Sequence, residues 1–397
     1  MKSKVIDKYL ARYAEPEARV EWSPPGQWRH LVCIPASAEA DSLADTLRSL
    51  AEANHAETAL AVVVVNARES APQNVHQSNA QTLDQLRELC GVERGGLSWG
   101  ALAGMGVLLV DRCGAGRWIP EGQGVGLARK IACDIALALI TRGAVTGEWI
   151  RCTDADVELP QDYFDRFPQS LPGVSATIDP FIHVPEGDEL QRTAMKLYDE
   201  YLQSYVDGLR AAGSPYAFHT IGSLISVHAH SYAVVRGIPR REAGEDFYLL
   251  NKLAKVGRVH DLEGDPVRIR GRVSDRVPFG TGAALQEIQA ALTEGRPTRH
   301  YDPQVFDGLG IWLAALDEFV ADPDGEALQA RVRRAPMPLS DPLWNTLSGM
   351  GAFDAAEKAS EQARGAQLRR RLMEWNDAFR TLKLIHGLRD GMSSVGE

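Results

Sequence analysis

The sequence lacks an excess of positive charge, and this argues against one broad class of function. The 397 residues include 43 Lys and Arg against 53 Asp and Glu, which gives a formal net charge of -10. Proteins that bind nucleic acid meet the phosphate backbone with clustered Lys and Arg. We therefore expect no nucleic-acid partner, although a local basic pocket for one diphosphate is compatible with this composition.

Paired cysteines and long apolar runs are also missing. Five Cys are scattered over the first 152 residues without a Cys-x-x-Cys pair, a pattern that predicts neither a disulfide framework nor a zinc site. The N-terminus has no continuous apolar stretch of the signal-peptide kind. No window approaches the roughly 18 consecutive apolar residues of a membrane span. We therefore expect a cytoplasmic protein without a membrane span.

The first 155 residues alternate apolar runs with amphipathic segments, which is typical of a doubly wound α/β domain. The pattern predicts strands at 31–36, 59–66, 105–110 and 148–153, a loop at 67–80, and helices at 41–53, 81–90 and 127–141. Buried apolar strands of this kind form parallel sheets, and ligands bind such sheets at the carboxyl ends of the strands. We therefore predict a mostly parallel central sheet with the functional site at that edge.

The later part of the chain is mixed at first and then helical. The pattern predicts strands at 175–182, 231–235 and 267–273, the last as an edge strand, and helices at 188–211 and 245–256. We divide the chain into an N-terminal helical segment (1–29), a main α/β domain (30–282) and a mainly helical C-terminal extension (283–397). The extension has amphipathic spacing at 368–388, so it is interpreted either as a homodimer contact or as a cover over a substrate site.

The first chemical motif is the triplet Asp154-Ala155-Asp156, which follows the predicted strand 148–153. Two carboxylates one residue apart at a strand end can chelate a hard divalent cation, Mn²⁺ or Mg²⁺, and leave positions for diphosphate oxygens. A simple turn is the alternative interpretation of this triplet. We favour the metal site, because a buried strand precedes it and a second acidic motif follows.

The second motif is Glu245-Asp246, which follows Gly244 and begins an apolar helical stretch. Acidic residues stabilise the first turn of a helix through its macrodipole, so a helix start is one explanation of the pair. A displacement by a hydroxyl group also needs a carboxylate to take the proton. Asp246 is our candidate for that base, with Glu245 beside it.

Taken in order, five segments resemble the inverting family 2 glycosyltransferases with the GT-A fold: IPASAE, VVVVNA, GVGLARKIACDIAL, WIRCTDADVELPQDYF and AGEDFYLLNKLAKVG. The resemblance implies a nucleotide-sugar-binding fold and transfer of a sugar from a UDP-, GDP- or dTDP-linked donor to a hydroxyl acceptor. It implies donor contacts at Pro35, Ala36, Glu39, Asn66, Gly126, Arg129, Asp154 and Asp156. It further implies that Asp154 and Asp156 hold the metal and that Asp246, next to Glu245, is the base.

Two positions depart from the pattern of that family. Ala38 stands where an Asn is usual, and the second strand ends in Asn66 where an Asp is common. An Asn can still bond a uracil or ribose edge, so the identity of the nucleotide base stays open.

Other functions are weighed against this one. A sugar-phosphate nucleotidyltransferase shares the architecture and the metal, but the segment IPASAEADS lacks the Gly-rich loop with Arg and Lys that such enzymes place beside the first strand. A retaining GT-A glycosyltransferase differs in stereochemistry. A non-catalytic binding protein is disfavoured because both acidic motifs are intact. A dinucleotide fingerprint in GQGVGLARK is rejected, since Leu127 occupies the third glycine position.

Overall fold

The computed structural model describes residues 3–167, 171–271, 281–298 and 300–393. Its strands are β1 (His30–Ala36), β2 (Ala59–Asn66), β3 (Val92–Arg94), β4 (Leu97–Leu102), β5 (Met105–Arg112), β6 (Trp149–Cys152), β7 (Val157–Glu158), β8 (Val174–Ile178), β9 (Phe181–Pro185), β10 (Ile225–His228), β11 (Arg258–Asp261) and β12 (Val267–Gly271).

The α-helices are α1 (Lys4–Arg12), α2 (Leu43–Glu52), α3 (Gln73–Leu89), α4 (Gly124–Thr141), α5 (Glu189–Ala211), α6 (Ala229–Val234), α7 (Glu245–Leu253), α8 (Thr281–Thr293), α9 (Gln304–Ala321), α10 (Gly325–Arg333), α11 (Ser340–Gly349), α12 (Ala352–Gln362), α13 (Gly365–Trp375) and α14 (Ala378–Ser393). Short 3₁₀ helices span Pro16–Arg19, Ala56–Thr58 and Gly222–Leu224.

The larger sheet has the strand order β11-β8-β10-β6-β1-β2-β5-β4-β3. In this sheet β10 and β4 are antiparallel to the other strands, which are parallel to one another. Every residue of β1 and β2 is buried, which is why both strands are continuous apolar runs in the sequence. The predicted α/β fold class, with a mostly parallel central sheet and helices in the C-terminal part, is confirmed.

The order of the strands reverses beside β1. From β1 the chain adds β2 and β5 on one side and then returns to place β6 on the other side. The loops that follow β1 and β6 therefore leave in opposite directions, and in open α/β sheets ligands bind in the crevice between two such loops. Asp154 follows β6, so the first acidic motif lies at this switch point.

Pro35 is compatible with an inner strand because of this local geometry. The carbonyl oxygen of Cys33 accepts a hydrogen bond from the backbone N–H of Thr153 at 3.0 Å, so the polar backbone groups of Cys33 face β6. Pro35 lies two residues further on and faces the same side. The pairing of β1 with β6 ends at Cys33 and Cys152. Pro35 lies beyond this last pair, so its lack of an N–H group removes no hydrogen bond between the two strands.

Two predicted elements have the wrong type. Residues 73–80, predicted as a loop, form the first turns of α3, whose buried face includes the polar residues Asn79 and Thr82. Because these residues are polar, the apolar period that marks a helix is missing from the sequence. Residues 231–235 were predicted as a strand, but α6 occupies most of them, and the strand β10 lies just before it.

Two other predicted strands are wrong in extent or position. The predicted strand 175–182 is divided into β8 and β9 at Asp179 and Pro180, since Pro180 cannot donate to a ladder. β12, predicted as an edge strand, lies in the middle of a second sheet with the order β7-β12-β9.

The chain divides into two compact units. The first comprises Met1–Met195 with Thr220–Ala290 and contains both sheets; the second comprises Lys196–His219 with Ala291–Glu397 and is helical. The catalytic boundary near residue 282 stays a prediction. Among the helices that the structure describes, none combines the length and the apolar character needed to cross a membrane.

The core of the second unit contains a buried polar pair. Trp312 on α9 is fully buried in the hydrophobic core of this unit, where its ring packs edge to face against Phe353 of α12. Its indole Nε1–H donates to Oδ1 of Asn376 at 3.2 Å, and Asn376 is itself 1% exposed. A buried indole N–H without a partner is costly, so the Asn376 amide is a stabilising part of this core.

We expect Asn376→Ala to lower the free energy of unfolding by roughly 1–3 kcal/mol, because it leaves the indole N–H of Trp312 without an acceptor. Equilibrium urea denaturation measures the change. Asn345→Ala, at an exposed position of α11 in the same unit, is the control and should change stability by less than about 0.5 kcal/mol. Equal losses in the two variants would contradict the assignment.

Candidate active site

Arg129 lies at the centre of an assembly that joins the two acidic motifs. It belongs to α4, and its side chain is 4% exposed. Its Nη2 donates to Oδ1 of Asp154 at 2.7 Å and its Nε donates to Oε1 of Glu245 at 3.2 Å. Its Nη1 donates to the carbonyl oxygen of Gly222 at 2.9 Å. One guanidinium therefore fixes the end of β6, the start of α7 and the 3₁₀ turn before β10.

The electrostatics of Arg129 follow from its two carboxylate partners. Burial alone lowers the pKa of a guanidinium, but Asp154 and then Glu245 raise the pKa of Arg129 well above its ordinary value. The side chain of Glu245 is 5% exposed, whereas that of Asp154 is 36% exposed. Glu245 is thus enclosed as a partner of the arginine, and Asp154 keeps part of its carboxylate accessible to a ligand.

Asp246 has a different environment from its neighbour Glu245. It is the second residue of α7, and its Oδ1 accepts a hydrogen bond from the backbone N–H of Phe247 at 2.7 Å. Burial and the nearby carboxylates of Glu245 and Asp154 raise the pKa of Asp246 to about 7, against the opposing effects of Phe247 and Arg129. A carboxyl group with a pKa near neutrality is suited to accept a proton from a hydroxyl group.

The loop before α7 is held against the first turn of α4. The backbone N–H of Gly126 donates to the carbonyl oxygen of Arg241 at 3.0 Å. A Cβ at Gly126 would lie 2.6 Å from the oxygen of Pro239 and 2.7 Å from backbone atoms of Arg241, so a larger residue would push the loop away. Gly126 therefore has a packing role, and its predicted contact with the donor stays a prediction.

The ends of β1 and β2 are joined by two asparagine side chains. Nδ2 of Asn66 donates to the carbonyl oxygen of Ala36 at 3.0 Å. Nδ2 of Asn79 donates to the carbonyl oxygen of Asn66 at 2.9 Å, and its Oδ1 accepts from the backbone N–H of Ala38 at 2.8 Å. Ala38 has a φ of 58°, which residues other than Gly rarely adopt. Asn79 thus stabilises a strained loop beside the crevice.

Asn79 was missed by the sequence analysis because it stands in a polar stretch. The sequence feature that could have indicated its burial is its helical spacing from Leu83 and Leu86, because the three residues share the buried face of α3.

The other predicted donor residues lie on or after the same strand ends. Pro35 is buried in β1. Glu39 is 6% exposed and accepts a hydrogen bond from the Ser42 hydroxyl just before α2. Asp156 is partly exposed in the turn between β6 and β7. The structure brings these side chains to the carboxyl edge of the sheet, while their contacts with a nucleotide stay predictions.

The two aspartates of the first motif are chemically compatible with a divalent metal. In the described part of the chain, no group of three or more His, Cys, Asp or Glu side chains could hold a metal ion. Oδ1 of Asp154 is engaged by Arg129. The carboxylate oxygens of Asp154 and Asp156 are of the hard kind that Mg²⁺ and Mn²⁺ prefer. Mg²⁺ is commonly bound in this way, by one or two carboxylates together with substrate phosphates and water.

The raised pKa of Asp246 predicts a pH dependence of stability. A carboxyl whose pKa is higher in the folded than in the unfolded chain stabilises the fold fully below pH about 4. This contribution is lost as the pH rises through about 7. We therefore expect Asp246→Asn to gain stability relative to the wild type as the pH rises from about 4 to about 7, as measured by urea denaturation at each pH. A pH-independent difference would contradict the shift.

Comparisons with known proteins add a remote likeness. No protein-family model matches the chain, and no curated protein sequence matches it. The chain is similar to S. aureus TarS 1-349 in complex with UDP-GlcNAc, at 13% identity over 93% of this chain and 91% of that chain, with a TM-score of 0.44.

Two further solved structures are similar to the chain. One is the mannosyltransferase PcManGT from Pyrobaculum calidifontis in complex with GDP-Man and Mn²⁺, at 17% identity over 95% of this chain and 94% of that chain, with a TM-score of 0.38. The other is glucosyl-3-phosphoglycerate synthase from Mycobacterium tuberculosis with Mn²⁺, UDP and glucosyl-3-phosphoglycerate, at 13% identity over 70% and 87% of the two chains, with a TM-score of 0.38. Because these likenesses are remote, the function of the chain has to be inferred from the geometry of its own site.

Proposed function

We propose that this protein is a glycosyltransferase with a GT-A-type fold. It moves a sugar from a nucleoside-diphosphate sugar to a hydroxyl acceptor, with inversion at the anomeric carbon. The observation that carries the proposal is the assembly of Asp154, Arg129 and Glu245 beside Asp246, at the switch point of an α/β sheet. Such a transfer needs a site for the leaving diphosphate and a base for the acceptor, and the two acidic motifs are suited to these two tasks.

Asp154 and Asp156 are assigned to the diphosphate side of the site. Both follow β6, and both keep some exposure to solvent. A divalent cation, Mn²⁺ or Mg²⁺, bound by these carboxylates and the diphosphate would offset the negative charge that develops on the leaving group. Arg129 holds Asp154 in one orientation through a 2.7 Å bond, so this aspartate is ordered before the donor binds.

The nucleoside is assigned to the ends of β1 and β2, next to Pro35, Ala36, Glu39 and Asn66. Both donor positions of the Asn66 amide are used, since Nδ2 bonds the carbonyl oxygens of Ala36 at 3.0 Å and Val64 at 3.3 Å. A nucleoside would therefore bond Asn66 through Oδ1, which accepts hydrogen bonds. This side chain selects for an N–H or O–H group on the ligand.

Asp246 is assigned as the general base. The oxygen of the acceptor hydroxyl attacks the anomeric carbon from the face opposite the diphosphate, and Asp246 takes the hydroxyl proton. The new carbon–oxygen bond forms while the bond from the anomeric carbon to the diphosphate oxygen breaks, which inverts the configuration. A base with a pKa of about 7 is partly ionised at neutral pH and still basic enough to assist the attack.

We expect donor binding to depend on a divalent metal through Asp156. Titration calorimetry with UDP-, GDP- and dTDP-sugars, with Mn²⁺ or with excess chelator, should show binding at least about tenfold weaker without metal, which corresponds to about 1.4 kcal/mol. Asp156→Ala should lose the metal-dependent part of the affinity. Glu158→Ala, two residues further on at an exposed position of β7, should keep it. Undiminished binding in chelator would contradict the metal site.

We expect Asp246→Asn to lower the turnover number by roughly 10²–10⁴-fold, because the amide has the shape of the carboxylate but cannot take a proton. Donor affinity should change little. Glu263→Gln removes an exposed acid from the same unit and is the control. NMR of the wild-type product should show the anomeric configuration opposite to that of the donor. Retained configuration would refute the assignment of Asp246 and favour a retaining glycosyltransferase.

A further inference from the structure

The N-terminal segment is joined to α4 through one buried carboxylate. Asp134 is fully buried, and its Oδ1 accepts from the hydroxyl groups of Tyr9 at 2.6 Å and Tyr232 at 2.7 Å. Its Oδ2 accepts from Lys130 Nζ at 2.6 Å and from the backbone N–H of Glu15 at 2.8 Å. Three of the four donors lie outside α4, two in the N-terminal segment and one on α6, and they fix this position of the helix. Each oxygen of the carboxylate has two partners.

Lys130 extends this network and stands next to Arg129 in the sequence. Its Nζ donates to the Tyr9 hydroxyl at 2.8 Å and to the carbonyl oxygen of Tyr13 at 2.9 Å, in addition to Asp134. Arg129 bonds the carboxylates of the candidate site, while Lys130 bonds the N-terminal segment. Any shift of this turn of α4 therefore disturbs both sets of bonds at once.

Glu15 also reaches the loop that leads into α7. Its Oε1 accepts from Arg240 Nε at 2.8 Å, and it lies 2.7 Å from Arg240 Nη2 and 3.6 Å from Lys130 Nζ. The Glu15 side chain is 9% exposed in this arrangement. The same loop approaches α1 closely, because a Cβ at Gly237 would lie 2.2 Å from the Tyr9 hydroxyl. The segment from 237 to 244 is thus held by the N-terminus before it delivers Glu245 and Asp246.

We propose that Glu15 is a positioning residue that fixes α4, which carries Arg129, relative to the loop that delivers Asp246. Its backbone N–H bonds Asp134 on α4, and its carboxylate bonds Arg240 in the loop. The bond from Arg129 to Glu245 joins α4 to the start of α7, which follows this loop directly, so its geometry depends on the distance that Glu15 sets. The expected effect of Glu15 on turnover rests on the proposed function, whereas its expected effect on the contact between α4 and the loop does not.

The structural test compares Glu15→Gln, Arg240→Gln and the double variant by hydrogen–deuterium exchange. Glutamine keeps the shape of Glu15 and removes its charge. We expect exchange about tenfold faster in peptides that cover Gly126 and residues 239–247, because the bond between Gly126 and Arg241 reports the contact of α4 with the loop. Exchange in these peptides should be no faster in the double variant than in either single variant, because the two side chains act through one ion pair.

Glu17→Gln is the matched control. Glu17 belongs to the same segment, its side chain is 15% exposed, and it forms an ion pair with Arg112 at 2.6 Å, at the end of β5. Exchange in the 239–247 peptides should stay at the wild-type rate in this variant. The proposal is overturned if Glu15→Gln leaves those peptides unchanged, or if exchange rises evenly along the chain with a loss of thermal stability equal to that of Glu17→Gln.

The kinetic test measures turnover and its pH profile in the same variants. We expect Glu15→Gln to lower kcat by about tenfold with little change in KM for the donor. We also expect the acidic limb to move to lower pH, because a loosened loop hydrates Asp246, which is faced by Glu245, Arg129 and Asp154. An unchanged profile would overturn the link to Asp246. Absence of any sugar transfer in the wild type would instead refute the proposed function, and the exchange experiment would still decide the role of Glu15.

Discussion

The candidate site depends on the buried guanidinium of Arg129. A buried charge is tolerated when it is paired and its hydrogen-bonding groups are satisfied. Arg129 meets this condition with partners from three separate segments: Asp154, Glu245 and the carbonyl oxygen of Gly222. Removal of one partner of a buried ion pair costs about 3–5 kcal/mol, because the remaining charge is left uncompensated. The positions of the two acidic motifs are therefore coupled to one another through the stability of the fold.

This constraint separates the three carboxylates of the site into different chemical roles. Glu245 is enclosed and paired with the arginine, and Asp154 is paired but partly exposed. Asp246 receives its hydrogen bond from a backbone N–H, and its pKa is raised to about 7. Neighbouring acids whose environments push their pKa values apart are the usual means by which one site combines a permanent negative charge with a proton acceptor. Here Arg129 pairs with two of the three carboxylates, and burial, together with the charge of Glu245, raises the pKa of the third.

The sequence predicted the parts of this arrangement that depend on local pattern. The strand 59–66 coincides with β2, and Asp154 and Asp246 stand at a strand end and a helix start as expected. The sequence could not show that Arg129 binds both acidic motifs, because Asp154 and Glu245 are 91 residues apart and only the strand order brings them together. The sequence could not show the role of Asn79 either, because its hydrogen-bond partners are distant in the chain, on the loop after β1 and at the end of β2.

The division of the chain at residue 29 stays a prediction, but the sequence did not show that residues 1–29 are bonded to α4. α4 is buried on every side, and a helix of that kind is expected to be apolar throughout. It nevertheless carries Arg129, Lys130 and Asp134, which are charged and almost inaccessible to solvent. Side chains at consecutive positions of a helix point in different directions, so Arg129 and Lys130 need different partners.

The partners of these charges define what must surround the helix. Arg129 requires the acidic motifs, whereas Lys130 and Asp134 require Tyr9, Tyr13 and Glu15 from the N-terminal segment. The burial of these charges on α4 is therefore compensated by the acidic motifs on one side and by the N-terminal segment on the other. The same polar contacts hold α4 rigidly between them, and a site is held accurately only when its supporting residues are themselves fixed.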